Sequence, residues 1–218
     1  MREEASSRRY DVVLFDFHGV LCHDYFYAQL DAVYPETHAF VERQAFSRSS
    51  DIPDRWMRGE LTSDDVNRFI SERTGLDFGV LSTAFRESVA QMRVDARLVD
   101  LATRIKGLGV SVGIVTDNMD VFNEIVIKQN ALDRVFPVIV NSCDYGCLKC
   151  EAEGRLFDVA MAMLGKPGDY SRAVLVDDSA RSREVFRGKG GDVFAYTDYD
   201  AFRRWARDCF GLAQPAVT

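Results

Sequence analysis

Short apolar runs rich in β-branched residues recur at 10–15, 110–115, 135–140, 173–176 and 192–196. They do not alternate with polar residues, which is the pattern of strands buried on both faces of a sheet. Helical spacing separates the later runs. In 95–106, Leu98, Leu101, Ala102 and Ile105 return every three or four positions, and Gly107 opens a stop signal in K-G-L-G. Residues 119–130, 153–164, 180–188 and 199–210 read the same way. Strand and helix therefore alternate through the second half, which predicts an α/β fold with a mostly parallel sheet, right-handed crossovers and helices on both faces. Residues 22–94 break this rhythm: they hold no comparable strand run but several helical patterns, including 64–73 behind the start signals Thr62 and Ser63. The expected organisation is a core of 1–21 and 95–218 with a helical cap of 22–94 inserted after the first strand. A cap at that point would sit over the carboxyl edge of the sheet, where open α/β folds bind ligands, and could exclude water there.

A length of 218 residues suits one domain with an inserted subdomain. With 27 basic against 34 acidic residues and a net charge of -7, the chain carries no electrostatic footprint for nucleic acid or an anionic membrane. An anionic ligand would need a local site. The start, M-R-E-E-A-S-S-R-R-Y, lacks the apolar core of a secretory signal, and no run approaches bilayer length, so the expectation is a soluble cytoplasmic protein. Five cysteines, an odd number, point to reduced thiols over a disulfide framework. The closing A-Q-P-A-V-T reads as a frayed tail.

Candidate chemistry gathers where the strand runs end. The first, D-V-V-L-F-D-F-H-G-V-L, delivers Asp16, with His18 two residues on and then a glycine. Asp16 could act as a nucleophile or as a metal ligand. After the second run come Thr116, Asp117 and Asn118, a hydroxyl and helix-start amides suited to an anion. After the third, S-C-D-Y-G-C-L-K-C contains Lys149, a cation able to neutralise a phosphoryl group or the attacking carboxylate. The fourth ends in Asp177 and Asp178, whose mutual repulsion calls for a cation or proton between them. Mg²⁺ suits such hard oxygen ligands. Singly, each of these residues has an ordinary reading as a helix cap, a turn residue or a solvated lysine. Their order at four successive strand ends is what carries information.

That constellation resembles the haloacid dehalogenase superfamily over about 10–196. Asp16, Phe17, His18, Gly19 and Val20 are similar to its first motif, Asp-x-Asp-Gly-Val/Thr; Thr116 to its second; Lys149, followed here by Cys150 where proline is common, to its third; Asp177 and Asp178 to its acidic fourth. Arg58, Gly59, Glu60, Leu61 and Thr62 are similar to a turn found in the family's helical caps. The resemblance implies a Rossmann-like sheet of order 5-4-1-2-3 and a Mg²⁺-dependent phosphohydrolase acting on a small phosphorylated metabolite. It implies an aspartyl-phosphate intermediate on Asp16, with Thr116, Asp117, Asn118 and Lys149 around the phosphoryl group. The metal would be held by Asp16, the main-chain carbonyl of His18 and Asp178, with Asp177 in or behind that ligand set.

His18 is the departure, since the family carries an acid/base aspartate there. Imidazole can donate and accept protons near neutrality, so His18 could take over this work, or it could simply pack beneath the cap. Two alternatives to phosphate transfer stay open: metal-independent dehalogenation of 2-haloacids, and a phosphate-ester-binding or regulatory protein without turnover. A phosphonate hydrolase of this superfamily would need a cap lysine, and 22–94 contains none. Cys143, Cys147 and Cys150 offer three clustered thiols, fewer than a structural zinc site requires, and read as small residues around Lys149; Cys22 could line the pocket. Tyr25, Phe26, Tyr27, Tyr34, Phe40, Phe46, Trp56 and Phe69 read mostly as cap packing, and Arg43, Arg48, Arg55 and Arg58 as possible anion contacts from the cap.

Overall fold

The computed structural model describes residues 9–44, 46–47 and 49–212. The charged start at 1–8, Arg48 and the tail at 213–218 lie outside the described residues. The first strand, β1 (Val12–Phe15), is followed by five helices: α1 (Leu30–Val33), α2 (Pro35–Gln44), α3 (Ile52–Met57), α4 (Ser63–Thr74) and α5 (Phe78–Ala90). Then come α6 (Ala96–Gly107), β2 (Ser111–Thr116), a π-helical turn (Phe122–Val126) continuing into α7 (Ile127–Gln129), α8 (Leu132–Val135) and β3 (Val138–Asn141). The chain continues with α9 (Ser142–Tyr145), a 3₁₀ turn (Ala152–Gly154), α10 (Arg155–Met163), β4 (Ala173–Asp177), α11 (Ala180–Gly188), β5 (Asp192–Ala195) and α12 (Tyr199–Phe210).

The five strands form one parallel sheet of order β3-β2-β1-β4-β5, the order the resemblance implies. Every residue of β1 is buried because it is central and covered on both faces. Its side chains divide by the two-residue period of a strand. Val13 and Phe15 join the larger core with α6 and α12, where Phe15 meets Phe136 and Phe202 edge-on at 5.7 Å. Val12 and Leu14 join a smaller core with Leu156, Phe157 and Phe186 of α10 and α11.

Several element boundaries depart from the sequence reading, among them the helix read over 119–130, which is the π-helical turn from Phe122 running into α7, and three with a local cause. The third strand begins at Val138 instead of 135: Val135 closes α8, Phe136 takes the extended conformation favoured before proline, and Pro137 has no N–H for a ladder. The helix expected over 153–164 begins at Arg155, since Ala152, Glu153 and Gly154 all have positive φ. Gly107 belongs to α6 itself, and the turn beyond it uses Gly109, at φ 79°.

Helices α1–α5 contribute Leu30, Val41, Trp56, Val66, Ile70, Leu81 and Phe85 to the larger core. Their seat on the sheet edge is polar. Asp120 accepts bonds from the Trp56 indole N–H (3.2 Å), the Ser63 amide (2.9 Å) and the Ser63 hydroxyl (2.5 Å). Ser142 Oγ donates to the Met57 carbonyl at 2.6 Å while accepting the Asn118 amide at 3.0 Å. Gly59 (φ 71°) runs so close to the Cys143 carbonyl that a side chain there would collide with it. Arg58 forms a two-pronged ion pair with Glu151, tying the turn after α3 to the loop that carries Lys149. Among the described residues no helix is long and apolar enough to cross a membrane.

Candidate active site

Because all five strands run the same way, their carboxyl ends share one edge, and the loops leaving that edge bring the sequence candidates together. Asp16 follows β1, its amide still in the sheet through a 2.9 Å bond to the Val176 carbonyl. Its Oδ1 accepts the Phe17 amide at 2.7 Å, and its Oδ2 meets Lys149 Nζ at 2.5 Å. The same ammonium bonds Asp177 Oδ2 at 2.8 Å, while Asp177 Oδ1 accepts the Ser179 amide at 2.7 Å. Lys149 is 3% exposed, Asp16 7% and Asp177 0%, so these charges interact largely shielded from water.

Asp178 is exposed beside them, and one oxygen each of Asp16, Asp177 and Asp178 fall within 4.8 Å of one another. Gly19 makes this approach possible. It has φ 85°, and a Cβ there would come within 2.6 Å of the Asp178 carboxyl carbon. Burial raises the Asp16 pKa to about 7, against the pull of Lys149 in the other direction. Burial would lower that of Lys149, but Asp16, Asp177 and Asp117 together hold it above the usual lysine value. Lys149 therefore stays cationic, and one ammonium faces a surplus of carboxylate. A hard divalent cation fits this oxygen-rich set and would relieve the surplus.

Thr116 closes β2, fully buried, and its hydroxyl has no partner among the described residues. Asp117 and Asn118 spend their groups on the loops. The Asp117 carboxylate accepts the Lys149 amide at 2.7 Å, and burial raises its pKa while Lys149 opposes. The Asn118 amide goes to Ser142, and its side-chain oxygen caps the Met119 amide at 3.0 Å. His18 is exposed, edge-to-face with Tyr25 at 5.1 Å. The atoms crowded around its ring push its pKa down, with Asp178 pulling the other way.

Two cavities meet at His18 and Asp117. One, of about 360 Å³, is polar and lined by Asp16, Lys149, Asp178, Ser179, Arg181 and Glu151 among others. The other, of about 370 Å³, is walled mainly by Phe17, Tyr25, Phe26, Phe46, Met57 and Met92. Arg181 went unnoticed in the sequence; its only signal is its place in the first turn of the helix after the acidic pair. Of the arginines singled out within 22–94, Arg58 is engaged with Glu151 and Arg55 with Asp51 and Glu60, and neither they nor Arg43 line these cavities. Cys22 lies in the core. Cys147 packs in the smaller core, Cys143 accepts the Asn141 side-chain amide at 3.1 Å, and Cys150 sits 3.6 Å from the Ser182 hydroxyl.

The family model for haloacid dehalogenase-like hydrolases matches residues 10–183, spanning β1 to the middle of α11. The chain belongs to the haloacid dehalogenase-like hydrolase family. Among curated proteins none matches the sequence. Solved structures share the fold of this hydrolase at low identity. A haloacid dehalogenase family enzyme from Bacteroides thetaiotaomicron, in complex with magnesium and inorganic phosphate, is 15% identical over 88% of this chain and 98% of its own, with a TM-score of 0.69. A predicted family hydrolase from Porphyromonas gingivalis is 13% identical over 91% and 98%, TM-score 0.69. An L-2-haloacid dehalogenase from Xanthobacter autotrophicus with chloropropionic acid covalently bound is 12% identical over 89% and 81%, TM-score 0.62.

Proposed function

We propose that this hydrolase is a Mg²⁺-dependent phosphohydrolase of small phosphate monoesters that works through an aspartyl-phosphate on Asp16, its α1–α5 segment, within 22–94, serving as a cap. The observation that carries this reading is the buried ammonium of Lys149 bridging Asp16 and Asp177, with Asp178 alongside, in a polar cavity at the carboxyl edge. A metal-independent dehalogenase would have no use for the surplus of carboxylate. The Bacteroides neighbour, which binds magnesium and phosphate on the same fold, supports the reading by analogy.

Asp16, Asp178 and the main-chain carbonyl of His18 would hold Mg²⁺, with Asp177 supporting them; when bound, the ion supplies positive charge beside the phosphoryl oxygens. Asp16 attacks phosphorus, the Asp16–phosphorus bond forms, and the bond from phosphorus to the ester oxygen breaks. Lys149 and the unpartnered Thr116 hydroxyl neutralise and hold the phosphoryl oxygens, while Asp117 and Asn118 fix the loops that present them. His18, at the junction of the two cavities, gives a proton to the departing alcohol oxygen. It then takes one from the water that attacks phosphorus, releasing phosphate and restoring the Asp16 carboxylate.

Hydrolysis of p-nitrophenyl phosphate with Mg²⁺ and with EDTA, from about pH 5 to 9, tests the reading. Turnover that needs Mg²⁺ and vanishes in Asp16→Asn is expected. Turnover that survives EDTA or Asp16→Asn would sink it, and chloride release from a 2-haloacid in EDTA would replace it with dehalogenation.

A further inference from the structure

The two cavities that meet at His18 and Asp117 differ sharply in charge. Among the described residues, the lysine and the arginine found in either lining, Lys149 and Arg181, both lie in the polar one. Among the described residues the second contains no lysine or arginine; beyond His18 and Asp117, which both cavities share, its charged groups are Asp24 and Glu42, set among the rings of Tyr25, Phe26 and Phe46. Asp24 is fixed there, accepting the Arg93 amide at 2.6 Å. A molecule with its phosphoryl group beside Lys149 and Thr116 would lay its remaining part in this second space. At about 370 Å³ that space lies toward the small end of small-molecule sites and suits a single ring with a short arm.

Resting on the phosphohydrolase reading, we propose that the alcohol released is an apolar, ring-sized body bearing an ammonium group, and that phosphate esters with a second anionic group are rejected. Aromatic faces and carboxylates both attract a cation, and the attraction strengthens as water is displaced. A second carboxylate or phosphate would instead lose its water beside Asp24 and Glu42, with no lysine or arginine among the described residues lining that cavity. Selectivity thus comes as much from the repulsive element as from the attractive one.

The test uses two aryl phosphates of similar shape, 4-(aminomethyl)phenyl phosphate and 4-carboxyphenyl phosphate, with p-nitrophenyl phosphate as the neutral reference. The amine is expected to exceed the carboxylate by roughly tenfold or more in kcat/KM near neutral pH, equivalent to about 1.4 kcal/mol of transition-state discrimination. Glu42→Lys should collapse or invert that ratio; the Glu42 carboxylate is 54% exposed, so the substitution does not strain the fold. Calorimetric binding of the free phenols, 4-(aminomethyl)phenol and 4-hydroxybenzoate, reads the same preference without chemistry. Mg²⁺-dependent turnover of p-nitrophenyl phosphate with an amine-to-carboxylate ratio of one or below would overturn the proposal and leave the phosphohydrolase reading standing. So would a ratio unchanged in Glu42→Lys. Preferential binding of the amine phenol with no ester turned over would support the charge assignment and overturn the phosphohydrolase reading.

Discussion

Replacing Lys149 with methionine removes the one ammonium that touches both Asp16 and Asp177 while keeping much of the side-chain volume, so the loss is electrostatic and not a cavity. Breaking a buried ion pair from one side costs about 3–5 kcal/mol, because the stranded charge keeps its desolvation penalty. Here two buried carboxylates are stranded, which places the loss toward the upper end at alkaline pH. The pH dependence has a definite sign. Asp16, raised to about 7 in the native protein from an ordinary 3.8, holds a proton that the unfolded chain has already released between those values. Wild-type stability without metal therefore falls as pH rises through that window, by up to about 1.4 kcal/mol per pH unit, and levels off above it. Without Lys149 the Asp16 pKa is higher still, so the variant goes on losing stability above pH 7. Urea unfolding of both proteins in EDTA at about pH 5.5 and 8.5 reads this directly. The expected gap is several kcal/mol at the higher pH and clearly smaller at the lower. A gap below about 1 kcal/mol at pH 8.5, or one that widens on acidification, would refute the argument that Lys149 offsets a buried carboxylate surplus.

Glu151→Gln breaks the ion pair with Arg58. Arg58 lowers the Glu151 pKa to about 2 from 4.5, so the pair stabilises the fold above pH 4.5 and loses its value as pH falls toward 2. With Glu151 a third exposed, solvent reduces the contribution to about 1 kcal/mol, and a urea-unfolding difference from wild type that does not shrink below about pH 4 would contradict it. Gly19→Ala should cost about 1–2 kcal/mol from its positive φ alone, and displacement of Asp178 should raise the Mg²⁺ concentration needed for half-maximal activity. An unchanged Mg²⁺ requirement would separate Asp178 from the metal. His18→Asp should change both turnover and the pH profile on p-nitrophenyl phosphate; identical profiles would remove His18 from proton transfer.

Much of the edge chemistry was legible in the sequence because strand burial is written locally. The apolar run 10–15 has to lie inside a sheet, and a parallel sheet has one carboxyl edge, so Asp16, Thr116, Lys149, Asp177 and Asp178 at successive strand ends could be assigned to one place before any contact was known. Capping was equally local: Thr62 and Asp65 form the reciprocal bonds that start α4, where the sequence placed a start signal. Apolar content alone misplaced one boundary: Phe136 and Pro137 continue an apolar run, yet Pro137 has no N–H to give a ladder and the strand waits until Val138.

Which partner each polar group takes was decided only in three dimensions. Nothing in the order of residues says that Arg58 reaches Glu151, that the Asn118 amide goes to Ser142, or that Arg181 joins the polar cavity while Arg43 and Arg55 do not. The charge asymmetry of the two cavities is likewise a product of assembly, because it brings the Tyr25–Phe26 stretch, Glu42 on α2 and the β2 loop into one wall. Periodicity and strand ends are properties of a few consecutive residues, fixed by backbone geometry and burial, and survive in the linear chain. Hydrogen-bond partners and cavity charge depend on side chains from distant segments competing for one small, poorly solvated volume, and that competition is resolved only when the chain is packed.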